Sequence, residues 1–493
     1  MPGAVEVVPV RDAELNPGEP ASRASSIELA TSVGLVLVFI GFVVGSRTIT
    51  DNSFLTHLAT GQLILDTGSI PTADPYSLAA HGDPWTVQSW LVSVIYAGLD
   101  STLGGWSIRL MNGMLGAAIT VGLWRLTASV RQLLTRTMVV ALALLIGTFL
   151  WPPRPLLFGL LAMVLVLEVA QDLRARWWLI PIFWFWVNAH GSFVLGLGVL
   201  GAIMVGAAID NRRLPQDEVK TLAVAVVGCL LAAVNPVGPR LLWFPFHLMG
   251  RSEALERVSE WGSPGFRSPV EQLFLIPLVM IVIAASRQAR WRALLPALVF
   301  FVSGLLAVRN LGLASIAVVA LVAPSLADLG GSIDGSERGR LASVVAMVAA
   351  IGLAIASFAV MTGAPVELED YPIAEIDWLE AHELVAQDDV RLVQRDYVGN
   401  YLTLRYGSEA RVFMDDRFDF HPLDVIEDHN ALLLGGDVDE VLDRRAFDVA
   451  LWASDSHFHR WILAQDDWTI VMSDESWFVA CRTTSALYQR CFD

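Results

Sequence analysis

Asp51 stands where the first membrane-length apolar run, Ile27 to Val44, gives way to a polar loop, and His57, Asp74, His81, Trp85 and Trp90 follow it there. Carboxylates and imidazoles are the side chains that take protons from attacking hydroxyls. Tryptophan favours the border between an apolar phase and water. Set at the edge of an apolar span, this group of residues suits chemistry on a lipid-borne substrate.

Asp51 has two readings. Beside an apolar span its carboxyl pKa rises, which suits a base working near neutral pH. Asp also caps helices, and one begins near Ser53. His57 falls about a turn and a half from Asp51 if 53–65 is helical, and so faces the same cleft or is simply interfacial. Asp74, before Pro75, is a turn residue or a second carboxylate for a divalent cation such as Mg or Mn.

Arg154, Arg240 and Arg309 lie at the ends of apolar runs where arginine is otherwise scarce. A guanidinium fork matches phosphate oxygens, and snorkelling toward lipid headgroups explains the same placement. Arg309 and Asn310 fall between two apolar runs with almost no loop. His190 occupies a tight turn, 188–191, where it orients a phosphate or sugar or anchors the interface beside Trp184 and Trp186. Glu260 next to Trp261 pairs a hydrogen-bond acceptor with a stacking platform. Asp415 and Asp416 end a strand-like run and suit a cation, with Arg417 neutralising one of them.

The elements that must position these residues are apolar. The 493 residues are 54% hydrophobic, and runs near the ~20 residues that cross a bilayer recur along the chain. They lie at 27–46, 105–124, 137–151, 155–171, 177–189, 191–209, 221–235, 270–286, 293–308, 311–327 and 341–362. The expectation is a polytopic α-helical protein with about eleven transmembrane helices. Residues 1–26 read as a disordered cytoplasmic arm without a cleavable signal peptide.

Arginine clusters at 125–136, 174–176, 212–220 (with Lys220), 287–292 and 338–340 all fall on one side if the amino terminus is inside. For that parity the segment 87–99 is expected to lie in the interface as an amphipathic helix. The loop 51–104, the turn 188–192 and the stretch 235–269 then share the outer face of a plasma membrane with the tail.

Residues from 365 onward carry 28 acidic against 10 basic side chains, while the part before them carries 22 against 23. All the net charge of −17 is therefore in the tail. That balance argues against nucleic acid, whose phosphates need Lys and Arg. Helical stretches at 373–384 and 422–434 alternate with strand-like runs at 390–394, 411–414, 448–451, 468–472 and 477–481. Residues 366–493 are thus expected to form an extracytoplasmic soluble α/β domain after a transmembrane module over 27–363. Residues 328–340 read as a flexible connection. Cys481 and Cys491 are free to pair, and Cys229 lies in an apolar run.

Several segments taken in order resemble bacterial members of the C-type (GT-C) membrane glycosyltransferase superfamily. They are DNSFLTHLATG (51–61), GSIPTADPYS (68–77), 85–91, Arg154–Pro155, WVNAHG (186–191), NPVG (235–238), EWGSP (260–264), Arg309–Asn310 and VFMDDR (412–417). The resemblance implies transfer of a sugar from a polyprenyl-phosphate donor to an envelope glycan, lipid or protein acceptor at the outer face, with inversion. It implies that Asp51 is the acid of the first outer loop that acts as base or metal ligand. The related pattern carries a second acid two positions on and a Trp before the His, where this chain has Ser53 and Thr56.

Two other functions stay open at this level. A transporter or flippase of lipid-linked substrates needs buried charge at mid-span, and here the spans hold little besides Glu168. A non-catalytic scaffold of an envelope-assembly complex would use the tail for assembly.

Overall fold

The computed structural model describes residues 19–151, 154–255, 258–329 and 338–492. Most of the expected arm, and most of the flexible connection at 328–340, lie outside these residues. Helix begins at Glu19 rather than near Ile27. Pro20 falls in its first turn, where a missing N–H costs nothing.

The apolar part consists of α1 (Glu19–Ser46), α2 (Ser53–Thr67), α3 (Trp90–Leu103), α4 (Trp106–Leu126), α5 (Leu133–Leu150), α6 (Leu156–Gln171), α7 (Leu179–Ala189), α8 (Phe193–Asn211), α9 (Gln216–Leu231), α10 (Arg240–Met249), α11 (Ser252–Leu255), α12 (Pro269–Leu273), α13 (Ile276–Ser286), α14 (Trp291–Leu306), α15 (Leu311–Val322) and α16 (Arg338–Thr362). Each apolar run of the sequence falls on helix. By length and composition, six described stretches are able to cross a membrane: Leu29–Ser46, Leu133–Leu150, Phe193–Asn211, Pro269–Ser286, Val308–Leu326 and Val344–Thr362. The helices α6 and α14 are apolar but shorter.

A helix that is apolar all round belongs in the middle of a bundle. In α15 every residue from Leu311 to Ala320 is buried, and it packs against α5, α6, α13 and α14. By contrast α16 packs on α1 and leaves Met347, Ile351, Ile355 and Phe358 exposed, an apolar surface suited to lipid. The segment expected to lie in an interface forms α3, whose Val92, Ser93, Tyr96 and Ala97 are buried; α3 packs on α2.

Where α1 meets α4, Gly41 and Gly45 face the backbone of Gly116 and Asn112 so closely that no Cβ fits. Small residues let two membrane helices approach to backbone contact. Gly116→Leu is expected to cost about 1–3 kcal/mol or more from overpacking, read as a lowered thermal midpoint in detergent.

Because successive helices reverse direction, the connections sort to two ends of the bundle. Arg125 pairs with Glu168 at 2.8 Å, Arg176 with Asp217 at 3.2 Å and Arg292 with Glu218 at 3.0 Å, which gathers the arginine-rich connections at one end. Asp51, Arg154, His190 and Arg309 emerge at the other.

The tail holds α17 (Ile373–Ala381), β1 (Leu392–Gln394), α18 (Asp396–Tyr406), α19 (Leu423–Leu434), α20 (Val438–Arg445), β2 (Val449–Ala453), α21 (His457–Ile462), β3 (Trp468–Ser473) and β4 (Trp477–Arg482). The sheet order is β1-β2-β4-β3, parallel between β1 and β2 and antiparallel elsewhere. Its strand β2, VALWA, is buried throughout, as an unbroken apolar run predicts. A disulfide joins Cys481 to Cys491.

The run 411–414 is not a strand of this sheet. Val412 instead forms a parallel bridge with Ser77 of the polar loop: Leu78 N–H donates to Val412 O at 2.7 Å and Val412 N–H to Tyr76 O at 2.9 Å. Its edge groups are satisfied by the loop rather than by a neighbouring strand. A second bridge, Ile49 to Val366, ties the end of α1 to the start of the tail. Polar loop and tail thus form one structure.

Candidate active site

Asp51 sits in the short link between α1 and α2. Its Oδ1 accepts the Ser53 N–H at 3.1 Å, so it does act at the helix start, and its Oδ2 lies 3.4 Å from Arg154 Nη1. Arg154, just before α6, donates from Nη2 to Glu260 at 2.9 and 3.1 Å. One guanidinium is therefore held between two carboxylates from distant segments.

Two cavities meet at this arginine. One, about 750 Å³, is lined by Arg47, Thr50, Asp51, Arg154, Glu260 and Arg309 together with apolar Phe149, Leu150 and Leu156. The second, about 660 Å³, shares Asn52, Arg154, Glu260 and Arg309 with the first and adds His57, His190, Trp261, Asn310 and Asp416. Its far wall is apolar, built from Val194 and Leu195 of α8 and Phe244, Phe246, Leu248 and Met249 of α10. Trp243 and Phe246 of α10 are also exposed, so this wall continues onto the apolar surface.

Arg309 is aimed by its neighbours. Its guanidinium lies 4.2 Å over the Trp261 ring, a cation–π contact that occupies one face of the indole. Asn310 Nδ2 donates to Ser303 O at 3.1 Å, which holds the turn between α14 and α15. His190 Nδ1 accepts the Ser192 N–H at 3.1 Å and lies 2.8 Å from Ser192 Oγ, and Gly191 N–H donates to Gln88 Oε1 at 3.2 Å. His57 Nδ1 is 3.2 Å from Ser93 Oγ of α3.

Electrostatics follow from burial beside arginine. Burial and then the Arg154 charge push His57 down to about 4. Burial, then Arg309 and Arg154, hold His190 well below its ordinary value. Both imidazoles are neutral at physiological pH. Burial raises Asp51, with Glu260 adding to the rise and Arg154 and Ser53 opposing it.

Of the residues singled out from the sequence, Asp51, His57, Arg154, His190, Glu260, Trp261, Arg309 and Asn310 come together here. Asp74 and Arg240 do not. Asp74 is fully buried, where its Oδ1 accepts from Arg417 Nη1 at 2.5 Å and its Oδ2 takes the Ser77 N–H at 2.8 Å. It is a turn residue and a structural ion-pair partner. Arg240 is exposed at the start of α10 and lines neither cavity.

Asp416 is the main residue whose place sequence reasoning missed. The motif was visible, and Arg417 does neutralise one aspartate, Asp415, with Nε 2.8 Å from Oδ2. Asp416 instead lines the cavity. Its backbone N–H donates to Asn400 Oδ1 at 3.3 Å, the same oxygen that takes the Thr56 hydroxyl at 2.7 Å. Thr56, where the resembling pattern has Trp, thus helps to seat the tail on α2.

A divalent cation needs several oxygen ligands converging on one point. Among the described residues no group of three or more His, Cys, Asp or Glu side chains is so arranged. The site instead sets guanidinium donors, neutral imidazoles and carboxyl groups around two cavities that share Arg154, Glu260 and Arg309, one of them with an apolar wall. Such a set is able to hold a phosphate and move a proton beside it. No protein-family model and no curated protein matches the chain.

Proposed function

We propose that this protein is an integral-membrane glycosyltransferase of the C type, with eleven spans, that moves a sugar from a polyprenyl-phosphate donor to an envelope acceptor at the outer face. The observation that carries this reading is that Arg154 and Arg309 line both a cavity that holds Asp51 and an adjoining cavity walled by apolar residues of α8 and α10. An isoprenoid chain suits the α8 and α10 wall, and its phosphate suits the two guanidinium groups.

In the reaction the acceptor oxygen bonds to the anomeric carbon as the bond from that carbon to the phosphate oxygen breaks. Asp51 takes the acceptor proton, and the charge left on the phosphate builds facing Arg154 and Arg309. Attack opposite the leaving phosphate inverts the anomeric centre. The disulfide Cys481–Cys491 supports a tail on the oxidising, extracytoplasmic side, and the arginine-rich opposite end suits the cytoplasm.

The test is direct. Lipid extracted from the purified protein is expected to contain a polyprenyl phosphate by mass spectrometry, and the protein to release sugar from polyprenyl-phosphate hexoses and pentoses given to it with an envelope extract. Absence of both the lipid and the release removes the proposal.

A further inference from the structure

The two cavities that share Arg154 reach the surface of the bundle on different helices. The second does so along α10, where Phe246 and Met249 line it and are 53% and 62% exposed. The first does so at the end of α5, where Phe149 lines it and is 61% exposed. α5 packs on α1 and α15, and α10 on α7.

Phe149 continues an apolar stripe. Leu134, Met138, Leu145 and Phe149 are all exposed, and at about 100° per residue they fall within about 60° of arc on α5. The stripe runs the length of a helix able to cross a membrane, from the arginine-rich end of the bundle to the site. An exposed apolar surface of this extent on such a helix faces lipid. The first cavity is thus open to the membrane at Phe149.

Its lining has the two parts that an amphiphile needs. Phe149, Leu150 and Leu156 are apolar, while Thr48, Thr50 and Asn52 bring polar groups beside Asp51. Asp51 lines this cavity and not the other, and the α8 and α10 wall lines only the other. Arg154, Glu260 and Arg309 line both, so molecules held in the two cavities meet at these three side chains.

Resting on the glycosyltransferase reading, we propose that the acceptor is itself a membrane lipid, a glycerolipid or glycolipid with a free headgroup hydroxyl. It enters the first cavity from the lipid beside α5, while the donor's isoprenoid chain lies on the α8 and α10 wall. The headgroup oxygen bonds to the anomeric carbon, the bond from that carbon to the phosphate oxygen breaks, and the hydroxyl proton passes to Asp51. The products are a glycosylated lipid and the polyprenyl phosphate. A water-soluble glycan or protein has no use for an entrance on the lipid-facing side of α5.

The full-length protein in detergent tests this with polyprenyl-phosphate hexoses and pentoses labelled in the sugar. The envelope is divided into a chloroform–methanol extract and the delipidated residue, and each is offered as acceptor. Label is expected in a new lipid of the extract. Transfer to the residue as fast as to the extract, or faster, overturns the proposal and leaves the glycosyltransferase reading standing. Transfer to neither fraction removes both.

Two variants distinguish the cavities. Phe149→Ala is expected to raise about tenfold the concentration of extract that gives half the maximal rate, the worth of one lost aromatic contact. The half-saturating concentration of the donor is expected to stay where it was. Phe246→Ala is expected to do the reverse. Both side chains are exposed, so thermal midpoints are expected to remain near that of the parent. A Phe149→Ala protein that melts like the parent and keeps the parental dependence on the extract contradicts entry beside α5, as does one that shifts the dependence on the donor instead.

Discussion

Asp51→Asn is expected to lower sugar release by about 10²–10⁴-fold, the usual worth of a positioned general base, with little change in folding. Asn is isosteric and its side-chain oxygen still accepts the Ser53 N–H, so the start of α2 is kept. What disappears is the negative charge 3.4 Å from Arg154, and with it the group able to take a proton. Arg154 retains Glu260, so its guanidinium stays in place. Initial rates beside thermal melts separate the two effects. A variant that melts like the parent and transfers sugar at the parental rate excludes Asp51 as the base.

The largest effect on stability is expected from Arg417→Met. Arg417 is buried and bridges Asp415 at 2.6 Å and Asp74 at 2.5 Å, joining tail to polar loop, and its guanidinium lies over the rings of Trp85, Tyr76 and Phe420. Removing it leaves two carboxylates in an apolar setting, a loss of about 3–5 kcal/mol. Burial pushes Asp415 up, but Arg417 and His421 outweigh it and hold its carboxyl far below the ordinary range. The stability it contributes is complete above the unfolded value of about 4 and lost only in stronger acid. In Arg417→Met the stranded carboxyl groups take up protons at higher pH. The gap between variant and parent is therefore expected to narrow as pH falls from 7 toward 4, measured by denaturant melts of the tail's tryptophan fluorescence. A gap that stays constant with pH would mean that Arg417 acts through packing alone.

The part of the site contributed by the helical bundle was legible in the sequence because alternating spans carry their polar ends to two faces. Asp51, Arg154, His190 and Arg309 each follow or precede an apolar run at an end of the same parity, which puts them at one end of the bundle, while packing decides which residues there meet, as exposed Arg240 shows. The tail's part was not legible in that way. Arg417 meets Asp74 across 343 positions, and Thr56 meets Asn400 across 344. Pairings of that kind leave no local period to read. For the same reason the apolar run Val412 to Met414 was expected in the sheet, whereas Val412 pairs with the loop at Ser77. Arg240 misled for a different reason: its place at the end of an apolar run was right, but an exposed helix start satisfies an arginine with water alone.

The two bridges, Ile49 to Val366 and Ser77 to Val412, join segments made early to segments made late on the ribosome. During synthesis the first half of the cleft must wait, with its backbone groups unpaired, until more than three hundred further residues have been translated. A chain that stops short of the tail leaves that half without Asn400 and Arg417 to close it.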